Sequence, residues 1–344
     1  MSGYFRTSYS DDVALLQTRM QKVWLALFLL ALCVYPFLAG PLWLDLGNQV
    51  FLGSIGAVAL MLLTGYAGQI SLGHAGLLAA GAFTTGILFK EFGATPWVTL
   101  PASAAVGALL GLIFGLPSLR LRGLYLAVST LALHFIVTFL GGEYEAKRGF
   151  STGIVIDSPI GSALGWYFAL VAAAAAALLV ALNLLRSRTG RAWRAIHGRE
   201  TVAAALGISV QRAKLSAFVV SSTLTALAGC LFAYYRGFVS AEAFSLYLTI
   251  QYVAMIIIGG MGSILGAVLG TVFVVLFPYA IDGGMRLLGV ADRLSSVVFA
   301  VNYAAFGLVM IVFLVFEPQG LVGLWRRIRN WFLLWPFKQR PLAK

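Results

Sequence analysis

The chain has 344 residues, of which 60% are hydrophobic and 10% charged, and it carries a net charge of +12. A water-soluble globule holds about a quarter charged residues, so this composition excludes one and makes the chain an integral membrane protein. Its apolar runs are about 20 residues long, enough for helices to cross a hydrocarbon core of roughly 30 Å and too long for the alternating strands of a barrel. The predicted fold class is therefore all-α, a polytopic transmembrane helical bundle.

About ten spans are predicted, at residues 23–44, 49–66, 70–89, 96–116, 123–141, 164–185, 214–235, 243–259, 262–280 and 294–316. The first follows Arg19 and Lys22 as a signal peptide would, yet its apolar run is long and Pro36 interrupts it without a small-x-small cleavage site. It reads as a retained helix. The stretch 246–260 is short and ends in glycines, so it either crosses or re-enters, and eight or nine crossings stay open. Residues 1–22 then form a cytoplasmic N-terminal segment, 23–316 the transmembrane domain and 317–344 a basic cytoplasmic tail.

Charge placement supports this scheme, because cytoplasmic segments are enriched in Lys and Arg. With both termini inside, inner segments hold 18 of the 24: Arg6, Arg19 and Lys22, then Arg120 and Arg122, seven across 186–214 and six after Glu317. Of the 12 acids, only Asp11, Asp12, Glu200 and Glu317 fall inside. The basic excess thus faces an anionic leaflet, which makes membrane lipid its partner and excludes nucleic acid.

The stretch "GYAGQISLGHAGLLAAG" at 65–81 puts five glycines, a glutamine, a serine and a histidine into an apolar run. A later stretch, "GGMGSILGAVLGTVF", likewise starts with glycines at a span's cytoplasmic end, contains a Ser and continues into a Gly/Ala-rich helix. The two read as a weak internal repeat of Gly-interrupted helices, the pattern that transporter repeats leave beside a substrate route. Gly107, Gly111 and Gly115, and again Gly262, Gly266 and Gly270, stand at four-residue spacing and read as close-packing faces between helices.

Catalytic chemistry has few candidates. Every Asp and Glu falls in a loop or at a span end, which disfavours proton-coupled transport through a mid-membrane carboxylate. His134 lies well inside a span and reads as a packing residue, and neither it nor His74 has an identifiable serine partner, so no enzyme is predicted. Cys33 and Cys230 sit in apolar spans as small packing residues, with no disulfide or metal site implied. The G-x-x-x-x-G-K-[ST] phosphate loop is absent, so a pump built on this chain would take its motor from another polypeptide.

The inner loop 186–214 offers such a motor a place to dock. It holds two short helical stretches, 190–196 and 201–206, closed by Gly207 as a C-terminal cap. Ala203, Ala204, Ala205 and Leu206 read as an apolar knob rimmed by charge.

"GYAGQISLGHAG", "GRAWRAIHGRETVAAALGI" with "KLSAF", "IIIGGMGSILGAVLG" and "EPQGLVGL" together resemble the permease subunits of high-affinity branched-chain amino-acid ABC transporters, specifically the M-type, over roughly residues 45–325. The resemblance implies a bacterial inner-membrane importer in which this chain pairs with a homologous second permease, two ABC ATPase subunits bind underneath, and a periplasmic binding protein delivers the substrate. ATP would be hydrolysed by the partner subunits, leaving this chain with no cofactor of its own. The family's coupling signature, E-A-A followed by a glycine, maps onto Glu200, Ala203, Ala204 and Gly207, near Arg191, although the usual form has its alanines directly after the glutamate. Leucine, isoleucine and valine are the implied substrates. Sister systems carry urea, short amides or other amino acids, and the other classes are a motor-independent channel or carrier and a membrane scaffold or enzyme that would show no flux.

The glycine stretches are then candidates for the substrate pathway: Gly65, Gly68, Gln69, Ser71, Gly73 and His74 in the first, Gly259, Gly260, Gly262 and Ser263 in the second. Gly65, Gly68 and Gly73 are expected to break the helix so that Ser71 caps a new one, whose N-terminal N–H groups suit a carboxylate. Gln69 and His74 would add neutral or switchable donors.

Overall fold

The computed structural model describes residues 19–119, 121, 123–150, 153–287, 298–317 and 319–334. Arg6, Asp11, Asp12, Arg120, Arg122, Asp292 and the tail from residue 335 lie outside the described residues. Residues 1–47 and 48–344 form two compact units.

Helix α1 (Arg19–Leu38) ends at a bend, and α2 (Pro41–Leu60) starts immediately after it. Proline's fixed φ and missing N–H suit the first position of a helix. The connection predicted near 45–48 is therefore helical, and the first break falls at Ala39 and Gly40 instead. The Tyr35 hydroxyl donates to the Trp43 carbonyl across that break, at 2.7 Å.

Beyond Leu60 the α2 rod widens into a π-helical turn, Met61–Tyr66. Then follow α3 (His74–Phe92), α4 (Pro96–Ser118), α5 (Leu124–Arg148), α6 (Ala163–Arg186), the short α7 (Arg188–Gly198) and α8 (Glu200–Ala205), α9 (Val210–Arg236), α10 (Leu246–Gly259), α11 (Ile264–Leu287), α12 (Val298–Phe316) and α13 (Gly320–Leu334). The all-α expectation has one small exception. Two-residue strands β1 (Ile154–Val155) and β2 (Phe238–Val239) pair antiparallel, with Ile154 opposite Val239.

Among the described residues, six helices are long and apolar enough to span a membrane: Pro41–Tyr66, Pro96–Pro117, Leu124–Arg148, Ala163–Arg186, Val210–Arg236 and Ile264–Leu287. A seventh is counted only if α12 and α13, bent by 51° at their break, act as one. Helix α10 has 14 residues, a length of about 21 Å at 1.5 Å per residue, well short of a ~30 Å core.

Helix α9 lies against α3 and α4, and glycine makes this possible. A Cβ on Gly81 would overlap the Ala226 carbonyl, and one on Gly229 would overlap the Leu78 carbonyl. The stripe of Gly107, Gly111 and Gly115 on α4 meets Ser222, Val219 and Phe218 of α9 as the spacing predicts. In lipid no hydrophobic force draws helices together, so such backbone approach is a principal source of cohesion. The second stripe divides. Gly266 and Gly270 press on the α10 backbone, whereas Gly262 precedes α11 in a left-handed conformation at φ +81° and faces elsewhere.

Candidate functional site

The first glycine stretch forms a closed turn. The Ala67 N–H donates to Leu62 O at 3.2 Å, five residues back, and the Gln69 N–H to Leu63 O at 3.1 Å. Thr64 Oγ1 donates to the Gln69 carbonyl at 3.0 Å. Gly68 supplies the reversal at φ +70°, a conformation that costs other residues about 1–2 kcal/mol. The helix therefore breaks at Gly68 and not at Gly65, which stays inside the π turn.

Ser71 does not cap α3. The N-cap is Gly73, with no side-chain cap. Ser71 lies two residues earlier, and its Oγ accepts the Gly73 N–H at 3.4 Å within the turn. Other helices supply the remaining partners: Thr130 of α5 accepts the Leu72 N–H at 2.9 Å, and Thr249 of α10 accepts the Ala75 N–H at 3.0 Å. Sequence reasoning overlooked these threonines; hydroxyls inside otherwise apolar spans were their only signal.

Two side chains at this turn are buried with polar atoms left over. Gln69 is 3% exposed, and neither its Oε1 nor its Nε2 has a hydrogen-bond partner. His74 is 1% exposed with Nε2 unpartnered, its Nδ1 3.5 Å from Thr225 Oγ1 and its ring 4.7 Å from that of Tyr252. An unsatisfied buried polar group costs about 1–3 kcal/mol, so such groups concentrate where function needs them. The void beside Ser71, Gly73 and Thr130 measures about 10 Å³, room for one water and not for a solute. His134 is buried as expected, under Gly76, though its Nδ1 also lacks a partner.

The second glycine stretch meets the first. A Cβ on Gly65 would lie 3.0 Å from the Gly262 nitrogen, and the Gly262 N–H points at Met61 Sδ, 3.3 Å away. Ser263, unlike Ser71, accepts a helix-start N–H, that of Gly266 at 3.2 Å. Gly260 at φ +112° abuts Gln319, and Gly320 abuts Gly260 and the Ile258 carbonyl. Gln319 and Gly320 thus seal the back of the junction, and Glu317 pairs with Arg327 at 3.0 Å.

The segment 186–214 is a folded unit docked on this junction. Trp193 is fully buried and its Nε1 donates to Ser216 Oγ at 3.0 Å, while Arg194 reaches the Leu185 carbonyl and Arg191 the Arg186 carbonyl at the end of α6. Glu200 pairs with the buried Lys214 at 2.5 Å. Gly207, at φ +81°, ends α8 as expected, with the Ile208 N–H returning to Ala203 O at 3.0 Å. Ala203 differs from expectation. It faces inward at 1% exposed, so the apolar surface is carried by Val202 and Leu206, 50% and 76% exposed, with Ala204 and Ala205 beside them. His197 at the end of α7 sits on the glycine turn: a Cβ on Gly68 would lie 2.7 Å from its Nδ1. No sequence pattern marked that contact.

Among the described residues no group of His, Cys, Asp or Glu is placed to hold a metal ion. Cys230 is buried as a packing residue, whereas Cys33 is exposed on α1. The run at 149–153 spells G-x-S-x-G, but its Ser151 lies outside the described residues and Gly149 caps a helix instead of following a strand, the context the hydrolase motif requires.

Apolar helices in a polytopic bundle, broken by glycines at two places that meet, define a membrane protein of the transporter class. The chain belongs to the family described as branched-chain amino acid transport system / permease component, which matches residues 43–316. It is 29% identical over 340 residues to the high-affinity branched-chain amino acid transport system permease protein LivM of Salmonella typhimurium, covering 90% of this chain and 76% of that one. It is 26% identical to the probable branched-chain amino acid transport permease protein LivH of Methanocaldococcus jannaschii, covering 73% and 82%. To the autoinducer 2 import system permease protein LsrC of Klebsiella pneumoniae it is 33% identical over 49% of this chain and 51% of that one. No solved structure matches the chain.

Proposed function

We propose that this chain is one permease subunit of an ATP-binding-cassette importer for leucine, isoleucine and valine in a bacterial inner membrane. It pairs with a homologous second permease, receives substrate from a periplasmic binding protein and is driven by two ATPase subunits that hydrolyse the ATP, so the chain itself binds no cofactor. Its polypeptide crosses about ten times, or eight or nine if the 14-residue α10 re-enters, with both termini inside, the six long helices being joined by α1, α3 and α12; segments 1–22 and 317–344 flank the transmembrane domain at 23–316.

The observation that carries this reading is the seat of His197 on Gly68, which sets the inner loop directly on the glycine junction. ATPase subunits dock on α7 and α8 through Arg191, Val202, Leu206 and the turn at Gly207, with Glu200, Ala203 and Ala204 holding that surface in shape. Their closure moves α7, and α7 displaces the turn at Gly68. Gly65 then separates from Gly262, against which it is packed in this conformation. Gly73, Gly259, Gly260 and Ser263 let the backbones part and re-pack, while Gln69, Ser71 and His74 present neutral polar atoms to the passing solute. A neutral site suits a channel fed by a separate receptor, because tight binding in the pore slows release.

The test is ATP hydrolysis in proteoliposomes holding this chain with its neighbouring permease, ATPases and binding protein, with leucine, urea or acetamide added. Stimulation by leucine alone is expected. Stimulation by urea or acetamide instead would keep the importer and overturn the substrate, and an assembled complex that moves solute without ATP would overturn the importer.

A further inference from the structure

A cleft of about 470 Å³ opens between α2, α10, α11 and α12, apart from the glycine junction. Among the described residues its lining includes one carboxylate, Asp282, and no lysine or arginine, so its field favours a cation. Asn302 Nδ2 donates to Asp282 Oδ1 at 3.2 Å, while Asn302 Oδ1 is buried with no partner. The Asp282 carboxylate and Asn302, with an oxygen to spare, thus sit together in the lining as acceptors. A primary ammonium group carries three N–H donors.

The remaining lining suits the rest of an amino acid. Tyr247 and Tyr303 stack edge to face with centroids 4.6 Å apart, offering ring faces to a cation and hydroxyls to a carboxylate. The amides of Gln49 and Gln251 add neutral donors, and Met255 and Val275 supply an apolar wall. A dicarboxylic amino acid would bring its extra negative charge against Asp282. Urea carries no cation and has no use for it.

We propose that this cleft binds a zwitterionic α-amino acid with an apolar side chain, its ammonium group held by Asp282 and Asn302. It rests on the import reading above and names a station the solute occupies before the glycine junction opens.

The test uses the complete complex in proteoliposomes. Asp282→Asn is expected to raise the leucine concentration for half-maximal ATPase stimulation about tenfold, the scale of losing one charge-assisted bond. Gly283→Ala, next in sequence and with open space at its Cβ, is expected to match the parent protein. In a second arm, Val275→Cys is labelled by a membrane-impermeant thiol reagent added outside, over a background set by Cys33 and Cys230. Leucine is expected to slow that labelling, whereas its analogue with hydroxyl in place of the ammonium group is not. An unchanged leucine requirement in Asp282→Asn, or labelling indifferent to leucine, overturns the cleft while the parent protein's response to leucine leaves the import reading standing. A parent complex that ignores leucine overturns both.

Discussion

Gly68→Ala tests the link between the inner loop and the glycine junction. The substitution acts twice. Alanine at φ +70° is strained by about 1–2 kcal/mol, and its Cβ would lie 2.7 Å from His197 Nδ1, well inside the ~3.5 Å at which heavy atoms normally meet. Overpacking of this kind costs about 1–3 kcal/mol, so the two together reach roughly 2–5 kcal/mol. His197→Ala removes the imidazole and with it the second cost, leaving only the strain, because the His197 Cα stands at an ordinary 3.4 Å. A double-mutant cycle on the purified complex, read as thermal midpoint and leucine-stimulated ATP hydrolysis, should return a favourable coupling of about 1–3 kcal/mol. Gly198→Ala, with nothing near its Cβ, serves as the silent control. Strict additivity of Gly68→Ala and His197→Ala, or a Gly68→Ala complex indistinguishable from the parent, would refute the reasoning.

Three further outcomes are expected. Glu200→Gln strands the buried ammonium of Lys214; with Glu200 itself 30% exposed, solvent screening reduces the cost to about 1–2 kcal/mol, and adding Lys214→Met should recover it in thermal unfolding. Gln69→Leu with Ser71→Ala should abolish leucine uptake while co-purification with the partner subunits persists, since removing an unpartnered buried amide relieves a cost of about 1–3 kcal/mol; normal uptake would exclude these side chains from the pathway. Val202→Asp with Leu206→Asp alters two exposed side chains and should leave the chain's stability in thermal unfolding within about 0.5 kcal/mol of the parent while the ATPase subunits no longer co-purify.

Much of the junction was legible in the sequence because glycine, glutamine and serine are conspicuous in an apolar run. Their geometry was less so. The two-residue distance between Ser71 and Gly73 decides that the serine closes a turn and not a helix, and one-dimensional capping patterns cannot separate those cases when three glycines crowd the same turn. Ala203 shows the same limit: in a six-residue helix every alanine looks alike until packing against α7 and α9 selects which one faces inward.

The sequence by itself determined the solvent, the helical class, the inner loop with its two short helices and the two glycine stretches. These follow from composition and short-range periodicity, which act over one or two helical turns. Only the tertiary structure decided that the stretches meet at Gly65 and Gly262, that His197 rests on Gly68, that threonines from α5 and α10 satisfy the start of α3, and that Asp282 and Asn302 pair in the lining of one cleft. These contacts join residues tens to hundreds of positions apart, and they depend on how closely the helix backbones approach, which no local pattern encodes.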